Sequence, residues 1–167
     1  MKRPLLYLIF ICLTLGAGVG PANATGPADE SSLTYEQMFT PAERAQIEKE
    51  IPADRIQEWV NYANQPSSGF IGMAAAAPNG CSSPLKPSPY LKIFRNDCNK
   101  HDVCYTSRKS RLQCDRDFRA NMLATCKRLY PNIATANRRN CDREANAFYW
   151  GVRWFGKNHY KGSGDRK

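Results

Sequence analysis

The run Cys98-Asn99-Lys100-His101-Asp102-Val103-Cys104 sets an imidazole beside a carboxylate, and two further aspartates, Asp115 and Asp117, follow shortly after it. His101 falls on one helical stripe with Leu91, Phe94, Cys98 and Tyr105. A histidine so placed is ordinarily a core residue with a satisfied hydrogen bond. A second stripe changes that reading. Leu112, Asp115, Phe118 or Arg119, Met122 and Cys126 put Asp115 on the inward side, while Asp117, about 200° further round the helix, faces water. The short turn 106–110 makes the two helices antiparallel neighbours. If Cys104 bridges Cys114, the hairpin is clamped at its turn, with His101 about one helical turn below Cys104 and Asp115 beside Cys114. Imidazole and carboxylate then meet. A carboxylate holding one ring nitrogen fixes the tautomer and leaves the other nitrogen as a general base.

A base needs something to activate. Neither Ser107 nor Ser110 lies in a Gly-x-Ser-x-Gly elbow, so water is the simpler nucleophile. Ester hydrolysis by water also requires an electrophile for the oxyanion. Asp102, about 100° off the His101 stripe, can hold a cation there. It lies four residues after Cys98, so a Cys81 to Cys98 bridge would bring the loop Asn79-Gly80-Cys81-Ser82-Ser83-Pro84, with its backbone carbonyls, to the same helix face. Calcium, which takes about six to eight oxygen ligands, suits such a loop plus one aspartate. Zinc fits less well, because Cys98, His101 and Cys104 advance by about 300° per step and splay apart.

Helices must supply these positions, and helical signals dominate. Thr40, Pro41 and Glu43 give an N-cap, a first-turn proline and a capping-box acid for a helix over 41 to about 50. A second starts after Ile51-Pro52, where Ile56, Trp59, Val60 and Ala63 recur at helical spacing. These two form a packing cap, with Trp59 in the core. Pro131 ends the Asp115 helix, and a loop over 131–140 leads to a last helix. There Ala145, Phe148, Tyr149, Val152 and Phe155 make an apolar face, Asp142 and Glu144 suit the positive N-terminus, and Gly156 closes it. Trp150 and Trp154 leave that stripe, which suits either a lipid interface or packing against the N-terminal helices.

The chain has 167 residues, a formal charge of +9 and seven cysteines, with 42% apolar residues. This excludes collagen, long disordered tails and a multi-span membrane protein. Lys2-Arg3, an apolar run over 5–15 and Ala22-Asn23-Ala24 read as a secretory signal peptide, 1–24, too short to span a bilayer. Its removal takes Cys12 and leaves six cysteines, an even number suited to disulfides in a secreted, extracellular protein. Charge divides the remainder: 25–73 carries 8 acids and 3 bases, a net of −5, and 74–167 carries 7 acids and 19 bases, a net of +12. The Ala/Gly/Pro/Ser-rich stretch 65–78 separates an N-terminal helical segment, 25–73, from a catalytic module, 74–167. A basic module attracts anionic lipid, acidic polysaccharide or nucleic acid, and export disfavours the last.

On these residues the chain resembles the secreted phospholipase A2 family. The match spans about 79–156, carried by Cys98-x-x-His101-Asp102-x-Cys104-Tyr105, by Cys114-Asp115-Arg116 ten residues later, and by Asn79-Gly80-Cys81-Ser82-Ser83-Pro84 before them. The last stretch, from Cys141 to Gly156, looks like the small all-helical bacterial and fungal members, whereas the Cys104 and Cys114 pair looks like the animal ones. The resemblance implies an all-α fold, with a disulfide-linked antiparallel helix pair carrying the active site, a calcium loop and additional packing helices. It implies His101 as the water-activating base, Asp115 as its orienting carboxylate and Tyr105 as a hydrogen-bond donor to Asp115. Asp102 would bind Ca2+ with Gly80, Ser82 and Asn79 from the loop, although Asn79 stands where the bacterial type has an aspartate, which would weaken affinity. The implied disulfides are Cys81–Cys98, Cys104–Cys114 and Cys126–Cys141. The implied reaction is hydrolysis of the sn-2 ester of glycerophospholipids at a membrane surface, an anionic one given Arg108, Lys109, Arg111 and the basic module. The competing expectations are a catalytically weak or silent relative that binds membranes or a receptor, and a disulfide protein in which His101 and Asp115 form only a structural hydrogen bond.

Overall fold

The computed structural model describes residues 34–64, 81 and 88–166. The leader 1–24, the boundary stretch 65–78 and the loop residues Asn79, Gly80 and Ser82 lie outside the described residues. The fold is all-α: α1 (Tyr35–Met38), α2 (Pro41–Glu50), α3 (Ala53–Ala63), α4 (Leu91–Cys104), α5 (Arg111–Leu129) and α6 (Ala136–Phe155), followed by a 3-10 turn (Gly156–His159). No strand occurs among the described residues.

Local chemistry accounts for most boundaries. Thr40 and Glu43 form a reciprocal capping box at the start of α2, and Pro41 occupies its first turn. α1 is a single turn that periodicity cannot reveal, and its signal is a second capping box between Thr34 and Gln37. α6 begins a turn before the expected start, because the Thr135 hydroxyl accepts from the Arg138 N–H and serves as N-cap. Asp142 and Glu144 are therefore not first-turn acids. Asp142 instead accepts from Arg138 Nε at 2.8 Å, and Glu144 accepts from Arg55 Nη2 at 3.2 Å and from the Ser88 hydroxyl at 2.9 Å.

α6 is the axle of the molecule, apolar on two sides. One side joins Cys141 and Ala145 to Phe94 and Cys98 of α4 and to Phe118, Met122 and Cys126 of α5. The other sets Ala147, Trp150 and Trp154 against Tyr35, Phe39, Ile47, Ile51 and Trp59. Phe39 meets Trp150 and Trp154 edge-on at 5.8 and 5.9 Å, and Trp59 meets Trp154 at 6.5 Å. Of the two expectations for Trp150 and Trp154, core packing is the one observed. Each such aromatic contact adds about 0.5–1.5 kcal/mol beyond the burial of the rings.

Polar groups seal the same seam. The Glu50 carboxylate, at the end of α2, accepts from Arg119 Nη2 of α5 at 2.7 Å and from Trp150 Nε1 of α6 at 2.8 Å. Arg119 lies 5.0 Å over the Tyr149 ring. Three disulfides complete the frame: Cys81–Cys98 anchors the segment before α4, Cys104–Cys114 clamps the α4–α5 turn, and Cys126–Cys141 joins the end of α5 to the start of α6.

Candidate active site

The clamped hairpin aligns the last turns of α4 with the first turns of α5, which brings His101 and Asp115 into a buried contact. His101 Nε2 lies 2.9 Å from Asp115 Oδ1. The Asp115 side chain has no solvent exposure and His101 has 7%. The His101 ring packs between Phe118, at 4.5 Å and nearly parallel, and Tyr105, at 4.1 Å. The Tyr105 hydroxyl donates to the same Oδ1 at 2.6 Å. On the other oxygen, Arg153 Nη1 donates to Oδ2 at 3.2 Å, with Arg111 Nη1 at 3.7 Å.

These contacts assign the tautomer. The other groups on Asp115 are donors, so the carboxylate acts as an acceptor and the His101 proton sits on Nε2. In the neutral ring the lone pair then belongs to Nδ1, the nitrogen that Asp115 does not use. Burial, and next the Asp115 charge, hold the Tyr105 phenol well above its ordinary range, so it stays a donor. A methyl group at Gly156 would approach the Tyr105 hydroxyl to 2.5 Å, which explains a glycine at the end of α6.

The C-terminal segment, from Tyr160 to Arg166, straps this end of the hairpin. Lys161 N–H donates to Tyr105 O at 2.9 Å, Ser163 N–H to Ser107 O at 3.1 Å, and the Tyr160 hydroxyl to Lys109 O at 2.5 Å. Arg111 belongs to this strap and not to a lipid-facing surface. It is 4% exposed, with Nε on Arg166 O at 2.8 Å and Nη1 on Val152 O and Arg153 O at 3.3 and 3.1 Å. Its inward role had a signal in the sequence, an arginine four residues before the inward aspartate. Arg108 is exposed, and Lys109 pairs with Asp117 at 2.8 Å on the solvent side, where Asp117 was expected. Arg153 was not anticipated. Its signal was an arginine four residues after Tyr149 on the apolar stripe of α6.

Asp102 sits half-buried in the last turn of α4, one residue from His101, with the Cys81–Cys98 bridge a turn earlier. No group of three His, Cys, Asp or Glu side chains converges among the described residues. All six cysteines from Cys81 onward are in disulfides, so none is available as a thiolate. What the described residues offer at this position is the Asp102 carboxylate near the Cys81–Cys98 bridge, and an oxygen donor fits a hard cation such as calcium better than zinc.

A small all-helical frame with a disulfide-clamped helix pair and a buried His–Asp–Tyr cluster is what the resemblance to the secreted phospholipases A2 implies. The chain belongs to that family: the model described as Group XII secretory phospholipase A2 precursor matches residues 56–166, from within α3 through α4–α6 and the strap. Conodipine-P3 and Conodipine-P2 of Conus purpurascens are 43% and 42% identical to it over 65 residues, in each case 36% of this chain and 36% of theirs. The chain thus spans little more than a third of the length of the curated relatives it matches. No solved structure matches.

Proposed function

We propose that this chain is a secreted, calcium-dependent phospholipase A2 that hydrolyses the sn-2 ester of glycerophospholipids. The observation that carries the reading is the 2.9 Å contact between His101 Nε2 and the buried Asp115 carboxylate, which leaves Nδ1 with its lone pair. In the reaction, His101 Nδ1 takes a proton from water as the water oxygen attacks the ester carbonyl. Asp115 and Tyr105 hold the ring in place while it carries positive charge, and the same nitrogen returns the proton to the departing glycerol oxygen. The products are a lysophospholipid and a fatty acid, and no acyl-enzyme forms. Asp102, with backbone or side-chain oxygens of Asn79, Gly80 and Ser82, would hold the calcium ion. Bound there, the ion supplies Lewis-acid polarisation and charge stabilisation at the ester carbonyl.

The same reading makes 1–24 a removable leader, 25–73 an N-terminal helical segment and 74–167 the catalytic module, which docks on an anionic lipid surface. The likeness of the last stretch to bacterial and fungal members belongs to this proposal too. Its test is fatty acid release from phospholipid vesicles with and without a calcium chelator. Chelation is expected to abolish release, and His101→Gln to lower it at least about a hundredfold while the protein stays folded. Chelator-insensitive hydrolysis would refute the metal assignment. Asn79, neutral where a carboxylate would bind calcium more tightly, favours one alternative, a weak or silent relative that binds lipid or a receptor. Vesicle binding without hydrolysis at saturating calcium would establish it.

A further inference from the structure

We infer that Arg153 is a positioning residue for the proposed hydrolysis: its guanidinium locks the Asp115 carboxylate so that Oδ1 stays on the His101 ring. This rests on the reading of His101 as the base.

The two carboxylate oxygens have separate duties. Oδ1 accepts from His101 Nε2 at 2.9 Å and from the Tyr105 hydroxyl at 2.6 Å, and Oδ2 accepts from Arg153 Nη1 at 3.2 Å. Arg111 is nearer to α6 than to the carboxylate. Its Nε and Nη1 are engaged by the carbonyls of Arg166, Val152 and Arg153, and its Nη1 stays 3.7 Å from Oδ2, beyond hydrogen-bond range. Arg153 therefore makes the hydrogen bond on Oδ2 that, together with the two on Oδ1, opposes rotation of the carboxylate about its Cβ–Cγ bond. Without it, Arg111 is left as the cation facing Oδ2, and the carboxylate gains by turning toward Arg111. That turn would carry Oδ1 away from the imidazole.

Arg153 has a fixed mounting. It lies on α6 between Trp150 and Trp154, both 5% exposed in the core against α1–α3, and Trp150 is pinned to α2 through Glu50 at 2.8 Å. The helix register that delivers this guanidinium to Asp115 is thus set partly by residues 34–55, which lie outside the family match at 56–166. A hydrogen bond between charged groups at a fully buried carboxylate is among the stronger ones and has defined geometry.

The test compares Arg153→Gln, Arg153→Lys, Asp115→Asn and the double variant Asp115→Asn with Arg153→Gln, on vesicles with calcium. Arg153→Gln is expected to lower kcat about ten- to a hundredfold with KM changed less than about twofold, the loss of one charge-assisted hydrogen bond felt only in the reacting state. Arg153→Lys should recover most of kcat. In the Asp115→Asn background the Gln substitution should change kcat less than about twofold, because the two residues act as one unit. Full multiplicativity of the two single effects, or a loss confined to KM, would overturn the inference. A second readout needs no turnover: 15N NMR of the neutral His101 ring should show the Nε2–H tautomer in the native chain and a tautomer mixture in Arg153→Gln. If the native chain hydrolyses nothing, the proposed function has failed, and an unaltered tautomer signal would separately refute the role of Arg153. Where Arg153→Gln does not fold, Arg153→Met, which keeps the packing of the stem, is read by the same criteria.

Discussion

Asp115 and Asp117 show how far two residues of one type diverge by angle alone. Asp115 is buried between an imidazole, a phenol and two guanidiniums, and Asp117 sits on the outside with Lys109 and Gln113 lowering its pKa through hydrogen bonds. The helical period separates them without any tertiary knowledge. Arg111, in a run with Arg108 and Lys109, was harder to read, because an arginine among basic residues looks like surface until the carbonyls and carboxylate that enclose it are known, and Arg153, set among apolar residues, was not anticipated. Tyr105 provides a pH test. Burial and the Asp115 charge raise its folded-state pKa above the ordinary 10.0, so its contribution to stability is complete below about pH 10. Above that, the unfolded chain releases the proton first and stability falls as pH rises toward the folded value. Denaturant titration should show the stability difference between the native chain and Tyr105→Phe constant from pH 7 to 9 and shrinking above pH 10; a difference that grows with alkalinity would contradict this assignment.

Among the elements, α4 and α5 were legible because their stripes, the turn between them and the stop at Pro131 agree with one another. The start of α6 was not, since a threonine cap competes with a run of polar residues that looks like loop. α1 is too short to carry a period. The Cys104–Cys114 bridge closes a ten-residue separation at the turn that aligns His101 with Asp115. Replacing both cysteines with alanine should lower unfolding free energy by about 2–3 kcal/mol, and hydrolysis should suffer more than global stability suggests, because local fraying at the turn separates the pair. Chemical denaturation alongside vesicle assays checks both; unchanged hydrolysis would show that helix packing alone holds the geometry. Glu50→Ala should cost about 2–3 kcal/mol, since it strands the Arg119 guanidinium and the Trp150 indole N–H at a mostly buried seam. Thermal unfolding is the measurement, with Glu50→Gln expected to lose less.

For the molecule as a whole, acidic and basic parts are joined by an aromatic interface. α1–α3 cover the Trp150 and Trp154 face of α6, so those tryptophans are unavailable to lipid in this structure. Trp150→Ala should therefore destabilise the fold by about 3–5 kcal/mol. At temperatures where it remains folded, its affinity for anionic vesicles should match that of the native chain. A lower affinity with full stability would place the residue at a membrane contact. If the basic module supplies docking, binding to anionic vesicles should weaken steeply between about 50 and 200 mM salt, as expected for exposed charges. Salt-independent binding would favour an apolar mode.

The residues of the chain, by their order alone, determined α2 to α5 and the body of α6, the inward histidine and aspartate, and the six cysteines placed among those helices, because helical period, capping and thiol spacing are local properties. Only the tertiary structure decided which faces of α6 are buried, that Glu50 joins three helices, and that two arginines close around Asp115. Those outcomes depend on which distant segments share the small volume around α6, and no neighbour in sequence encodes that competition.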